Sequence, residues 1–93
     1  MLPRRSPAFF ESYSSELMRG AVLTVGHMPV GGWQVGLSGP YPLRCDHSFT
    51  GDLDARERGY AIAREHLLAH GVTDVAPFDS LEWTRHGKPE PPA

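Results

Sequence analysis

Ninety-three residues, 40% hydrophobic and 22% charged, amount to one small globular domain. At that size only roughly 60–65% of the unfolded chain's surface can be buried, which argues against a deep enclosed active-site cavity. Nine Lys and Arg against eleven Asp and Glu give a net charge of −2, and neither half of the chain carries a basic stripe suited to phosphate.

In chain order, Ser6-Pro7 reads as a helix cap with proline in the first helical position. Phe9, Phe10, Tyr13 and Leu17 follow at helical spacing, so residues 7–18 are expected to form an N-terminal helix behind a flexible stretch 1–6. Four serines between Ser6 and Ser15 oppose it, because serine competes for backbone hydrogen bonds; the alternative is an irregular or extended arm. Residues 21–27 are β-prone, Met28 to Gly32 supply turn chemistry, and Trp33-Gln34-Val35-Gly36-Leu37 alternates with period two. After a second turn at 38–42, Leu43, Cys45, His47 and Phe49 alternate with Arg44, Asp46, Ser48 and Thr50. Strands at 21–27, 33–37 and 43–50 thus predict a three-stranded antiparallel sheet.

The run from Ala55 to Ala69 lacks proline and has one bulky β-branched residue, Ile62, while Asp52 and Asp54 suit a helix N-terminus. A main helix over 54–70 follows. Glu57, Arg58, Arg64 and Glu65 share one arc; Ala55, Gly59, Ile62, Ala63, His66, Leu67 and His70 share the opposite arc, which should pack on the sheet. Gly71 is placed to cap the helix in the left-handed conformation. Beyond it, 72–76 suggests a short strand, and Asp79-Ser80-Leu81-Glu82 resembles a capping box that would start a helix over 80–86. The fold class is therefore α+β, one domain over 1–87, with a disordered Pro-rich tail over 88–93.

A single cysteine, Cys45, can form no internal disulfide and fits a reducing compartment. Arg4 and Arg5 ahead of Phe9 and Phe10 imitate a signal peptide, but Glu11 and Glu16 interrupt the apolar run. With no apolar stretch long enough to span a bilayer, the cytoplasm is the expected location.

Five histidines and one cysteine raise a zinc reading. Cys45 and His47 share a strand face, and His66 and His70 share a helix face. If the helix runs antiparallel to the third strand, Cys45 lies about 17 Å back from the connection at ~3.3 Å per residue. His66 lies about 20 Å along the helix at ~1.5 Å per residue, so Cys45, His66 and His70 form the candidate set and His47 fits less well. The pattern is short and lacks a second ligand pair, so the competing reading is a set of histidines around a small core.

Enzyme chemistry has less support. Cys45 has no oxyanion-hole or glycine-elbow sequence beside it, and the glycines match neither a dinucleotide fingerprint nor a P-loop. RNA binding on the open sheet face is a further alternative, but the outward positions Thr24, Gln34, Gly36, Arg44 and Asp46 offer no stacking ring. By elimination the leading expectation is a non-enzymatic binding or structural module, acting on an unknown protein partner or as a homodimer. The first and third strands are the expected sheet edges. The competing possibility is a monomer whose edges are covered by the N-terminal segment and by residues after Gly71.

Gly31-Gly32-Trp33-Gln34-Val35, then Ser48-Phe49-Thr50 and a helix with Ala55, Gly59, Ala63 and Leu67 inward, resembles a group of small uncharacterised bacterial proteins with a strand-hairpin-strand-helix plan. The chain as a whole looks like a seroreactive antigen of a Gram-negative pathogen. The motif covers residues 19–71. The resemblance implies the α+β plan and an immunological label, and it transfers no catalytic residue.

Overall fold

One parity rule organises the sheet: apart from an irregularity at Glu16–Met18, where Met18 lies opposite Ala21, odd-numbered residues lie opposite odd-numbered ones in every strand pair. The computed structural model describes residues 11–29 and 31–86. They form β1 (Glu11–Met18), β2 (Ala21–His27), β3 (Trp33–Ser38), β4 (Leu43–His47), helix α1 (Asp52–Ala69) and β5 (Thr84–His86). All pairings are antiparallel, in the order β4-β3-β2-β1-β5. Registers such as Tyr13↔Val25, Val25↔Val35 and Val35↔Cys45 keep odd opposite odd. Because a one-residue slip would turn every apolar side chain to the other face, this register is strongly enforced.

The class is α+β, with one α-helix on an antiparallel sheet, as expected, but the sheet has five strands rather than three. Residues 11–18 are the strand β1, not the second half of a helix over 7–18. Positions 13 and 17 are four apart, which fits one helix face and one strand face equally well. The serines decide between them, since their cost in a helix does not apply in a strand. Gly20, at φ +82°, makes the two-residue link to β2. The expected strand over 72–76 is absent. Those residues run as coil, tied to the sheet through the Ala76 N–H donating to the Leu17 carbonyl at 2.9 Å. The expected helix over 80–86 is replaced by a 3₁₀ turn, Phe78–Ser80, followed by β5. A seven-residue helix is too short to offset its nucleation cost, whereas the free edge of β1 offers ready-made pairing. The third strand also ends earlier than expected, at His47 rather than 50. The flexible 1–6, the start of the N-terminal helix at 7–10 and the tail 88–93 lie outside the described residues.

Helix α1 starts two residues earlier than expected. Asp52 and Asp54 stand in its first turn, and the Asp54 carboxylate accepts the Thr50 N–H at 3.0 Å. Gly71, at φ +86°, closes the other end, and the Val72 N–H reaches back to the Leu67 carbonyl at 3.0 Å. The small residues Ala55, Gly59 and Ala63 are buried, as is Leu67, and they set the helix closely over β2 and β3. Leu17, Leu23, Val25 and Val35 complete the core from the sheet side. Tyr60, which falls between the two arcs of the helical reading, is buried too: its hydroxyl donates to the Ala76 carbonyl at 2.6 Å and its ring meets Phe78 edge-on.

A polar knot fastens β1, β5 and the start of α1. The part-buried Tyr13 hydroxyl lies 2.7 Å from Asp52 Oδ2 and 3.0 Å from Glu11 Oε2, so two carboxylates compete for one proton. Arg85 pairs with Glu11 at 3.1 Å, and the Arg56 guanidinium sits 4.8 Å from the centre of the Tyr13 ring. Burial, then the hydrogen bond to Asp52, push the Tyr13 phenol up from 10.0 to about 12. Because the folded value exceeds the unfolded one, this contribution is intact below pH 10.0 and is lost as pH rises towards about 12. In urea titrations across that window, the wild-type midpoint should fall more steeply with pH than that of Tyr13→Phe. Parallel pH profiles would contradict this account.

Candidate functional site

The histidines read as candidate ligands fall into two groups at opposite ends of the helix-side face. Near the C-terminal end of α1, the His66 and His70 rings meet edge-to-face with centroids 4.7 Å apart. His70 stacks on Tyr41 at 4.6 Å, a residue that reads from sequence only as part of a proline-flanked turn. His66 is half-buried, with Nε2 enclosed and without a hydrogen-bond partner. At the other end, His47 stacks on Phe49 at 5.5 Å and His27 on Trp33 at 4.6 Å, while Arg58 lies over the Phe49 ring at 5.5 Å. Cys45 is half-buried on β4, opposite Val35.

The structure therefore brings His66 and His70 together and adds a tyrosine ring to them. Among the described residues, no three His, Cys, Asp or Glu side chains gather in a way that could hold a metal ion. Two imidazoles supply half of the four ligands a structural zinc site requires. Dialysis of the purified protein against a chelator should leave its thermal midpoint unchanged. A large drop, reversed by one equivalent of zinc, would establish the zinc reading.

Burial, followed by the neighbouring negative charge of Asp46, pushes the Cys45 thiol up from its ordinary value. That direction moves it away from the thiolate that nucleophilic chemistry uses.

The more informative feature is the edge on which Cys45 lies. On the far side of the sheet, β5 pairs with Ser12, Tyr13 and Ser14, and the coil at Ala76 takes up the Leu17 carbonyl, so the outer edge of β1 is largely covered. The strand Ala21–His27, expected to be an edge, is interior, because β1 pairs along its whole length. β4 bonds to β3 on one side only, and no described strand lies on the other. In an antiparallel ladder alternate residues turn N–H and C=O to each side, so β4 presents unpaired backbone groups outward.

The side chains of β4 divide by parity. Leu43, Cys45 and His47 point to the helix side and are half-buried, because α1 lies over β2 and β3 rather than over β4. Arg44 and Asp46 are exposed on the open face. Asp46 accepts a long hydrogen bond from Gln34 at 3.4 Å, and among the described residues Arg44 has no ion-pair partner. The adjacent open face holds a shallow depression lined by Val22, Thr24, Gln34, Gly36 and Arg44, and its described strand residues include no Phe, Tyr or Trp. The sequence marked Arg44 and Asp46 as outward. It also marked their strand as one of the two sheet edges, which holds for β4, while the other expected edge, β2, is covered by β1.

None of the described helices is long and apolar enough to cross a membrane. No family model, no curated protein and no solved structure matches the chain.

Proposed function

We propose that this chain is a non-enzymatic binding module that works by strand pairing at β4, with a second copy of itself as the partner. The supporting observation is the asymmetry of the sheet: one outer edge is covered by β5 and the Ala76 coil, while among the described residues no strand covers the five residues of β4. An exposed edge is a template for strand addition, where main-chain hydrogen bonds supply affinity and alternating side chains supply selectivity. Small domains without a disulfide commonly gain stability by associating. The half-covered residues Leu43, Cys45 and His47 would be further shielded by a strand laid beside them. With one cysteine, the module suits a reducing compartment such as the cytoplasm.

Sedimentation equilibrium tests this directly. The mass should rise from 10.3 kDa towards twice that value as concentration increases. A concentration-independent mass of 10.3 kDa would overturn the proposal.

A further inference from the structure

We infer that β4 pairs antiparallel with β4 of a second copy about a two-fold axis at Cys45, placing Arg44 of each chain opposite Asp46 of the other. The inference rests on the self-association proposed above and adds its register.

Parity removes half of the alternatives. In β4 the odd residues face the helix side and the even residues face the open side. Any register that sets odd opposite even would turn one copy's Leu43, Cys45 and His47 to the open face and place the two helices on opposite faces. Among the remaining registers, shifting by one pairing step sets Arg44 opposite Arg44, and shifting the other way sets Asp46 opposite Asp46. Like charges directly opposite are destabilising across a strand pair. Larger shifts leave too few of the five residues paired. Only the register centred on Cys45 pairs all five, gives Arg44 an acidic partner twice over and sets Leu43 beside His47. A two-fold axis makes the same patch serve both copies, so the contact closes as a dimer instead of propagating.

The same register brings the two Cys45 residues face to face. Directly opposite residues in an antiparallel pair have Cα atoms about 4.5–5.5 Å apart. That lies within the ~4.4–6.8 Å range a disulfide accepts. A five-residue strand spans only about 17 Å, so the dimer is small, and weak, reversible association at high concentration is the expected behaviour.

The test is a charge reversal read in two ways on the full chain. Arg44→Asp puts a carboxylate opposite Asp46 at both ends of the pairing, and should weaken dimerisation roughly ten- to a hundredfold in sedimentation. The double variant Arg44→Asp with Asp46→Arg restores opposite charges and should return association to within a few-fold of wild type. Oxidation with copper phenanthroline, which takes two electrons and two protons from the thiol pair, should give a Cys45-linked dimer in the wild type and the double variant and much less in the single one. Both positions are exposed, and unchanged circular-dichroism melts at low concentration will show that the variants fold. A dimer indifferent to both reversals, with no Cys45 cross-link, would overturn the register while leaving self-association standing. A monomer under all conditions would overturn both.

Discussion

Replacing Gly59 by alanine should destabilise the protein, although the same change in an exposed helix would stabilise it by about 1 kcal/mol. Gly59 sits in the middle of α1 and is buried against the sheet. A Cβ built there collides with Val25 Cγ1 and reaches Val35 Cγ2 at 3.7 Å. Val25 is fully buried in β2, an interior strand, and its β-branched side chain is stiff at χ1, so it cannot turn aside cheaply. Overpacking of this kind costs about 1–3 kcal/mol, which offsets the propensity gain and leaves a net loss of up to about 2 kcal/mol. Gly59→Leu should cost well over ~3 kcal/mol, a large share of the roughly 5–15 kcal/mol a domain has. Urea unfolding of the two variants checks this, and Val25→Ala in the Gly59→Ala background should recover part of the loss. An alanine variant more stable than wild type would show that α1 does not depend on close approach at this point.

Leu67→Ala is expected to cost about 2–5 kcal/mol, while Leu68→Ala should stay within about 0.5 kcal/mol of wild type. The two leucines are adjacent and differ in what they touch. Leu67 is fully enclosed at the C-terminal end of the helix's inner face, whereas Leu68 is 39% exposed. Removing the Leu67 side chain leaves a cavity beneath the His66–His70 turn, in a core whose largest fully buried side chains are Leu17, Leu23, Leu67, Val25 and Val35. A small core has few neighbours able to relax into the space. Thermal and urea midpoints of the pair decide the matter; equal losses would mean that the helix face is wrongly assigned.

The parts of the fold legible in the sequence are those where one period dominates. Alternation from Trp33 to His47 placed β3 and β4, and the small residues Ala55, Gly59 and Ala63 marked the contact line of α1. β1 was misread because Tyr13 and Leu17 satisfy both a helical and a strand period, and only pairing with β2 separates the two. β5 has no pattern to read: Thr84, Arg85 and His86 are all exposed and form a strand because β1 offers an edge. Tyr60 was overlooked because it lies between the helix faces, and its partners Ala76 and Phe78 come from a segment expected to be regular.

The candidate interface was half legible. Alternation assigns Arg44 and Asp46 to the open side and the order of the elements makes their strand an edge, but β2 reads as an edge too, because no local pattern shows that β1 and β5 extend the sheet beyond it. Helical spacing brings His66 and His70 together as expected, while stacking on Tyr41, Trp33 and Phe49 engages His70, His27 and His47, which the spacing does not reveal. A histidine ring stacks on another ring as readily as it binds a metal, and spacing alone does not distinguish the two.

If β4 is the strand through which this chain pairs, amide hydrogen exchange measured residue by residue at low and high protein concentration will show it. The outward-facing amides of Leu43–His47 should exchange quickly in dilute solution and become protected as concentration rises, while those of β2 and β5 keep their rates. Unchanged exchange along β4 at concentrations where sedimentation shows a dimer would place the contact elsewhere and contradict it.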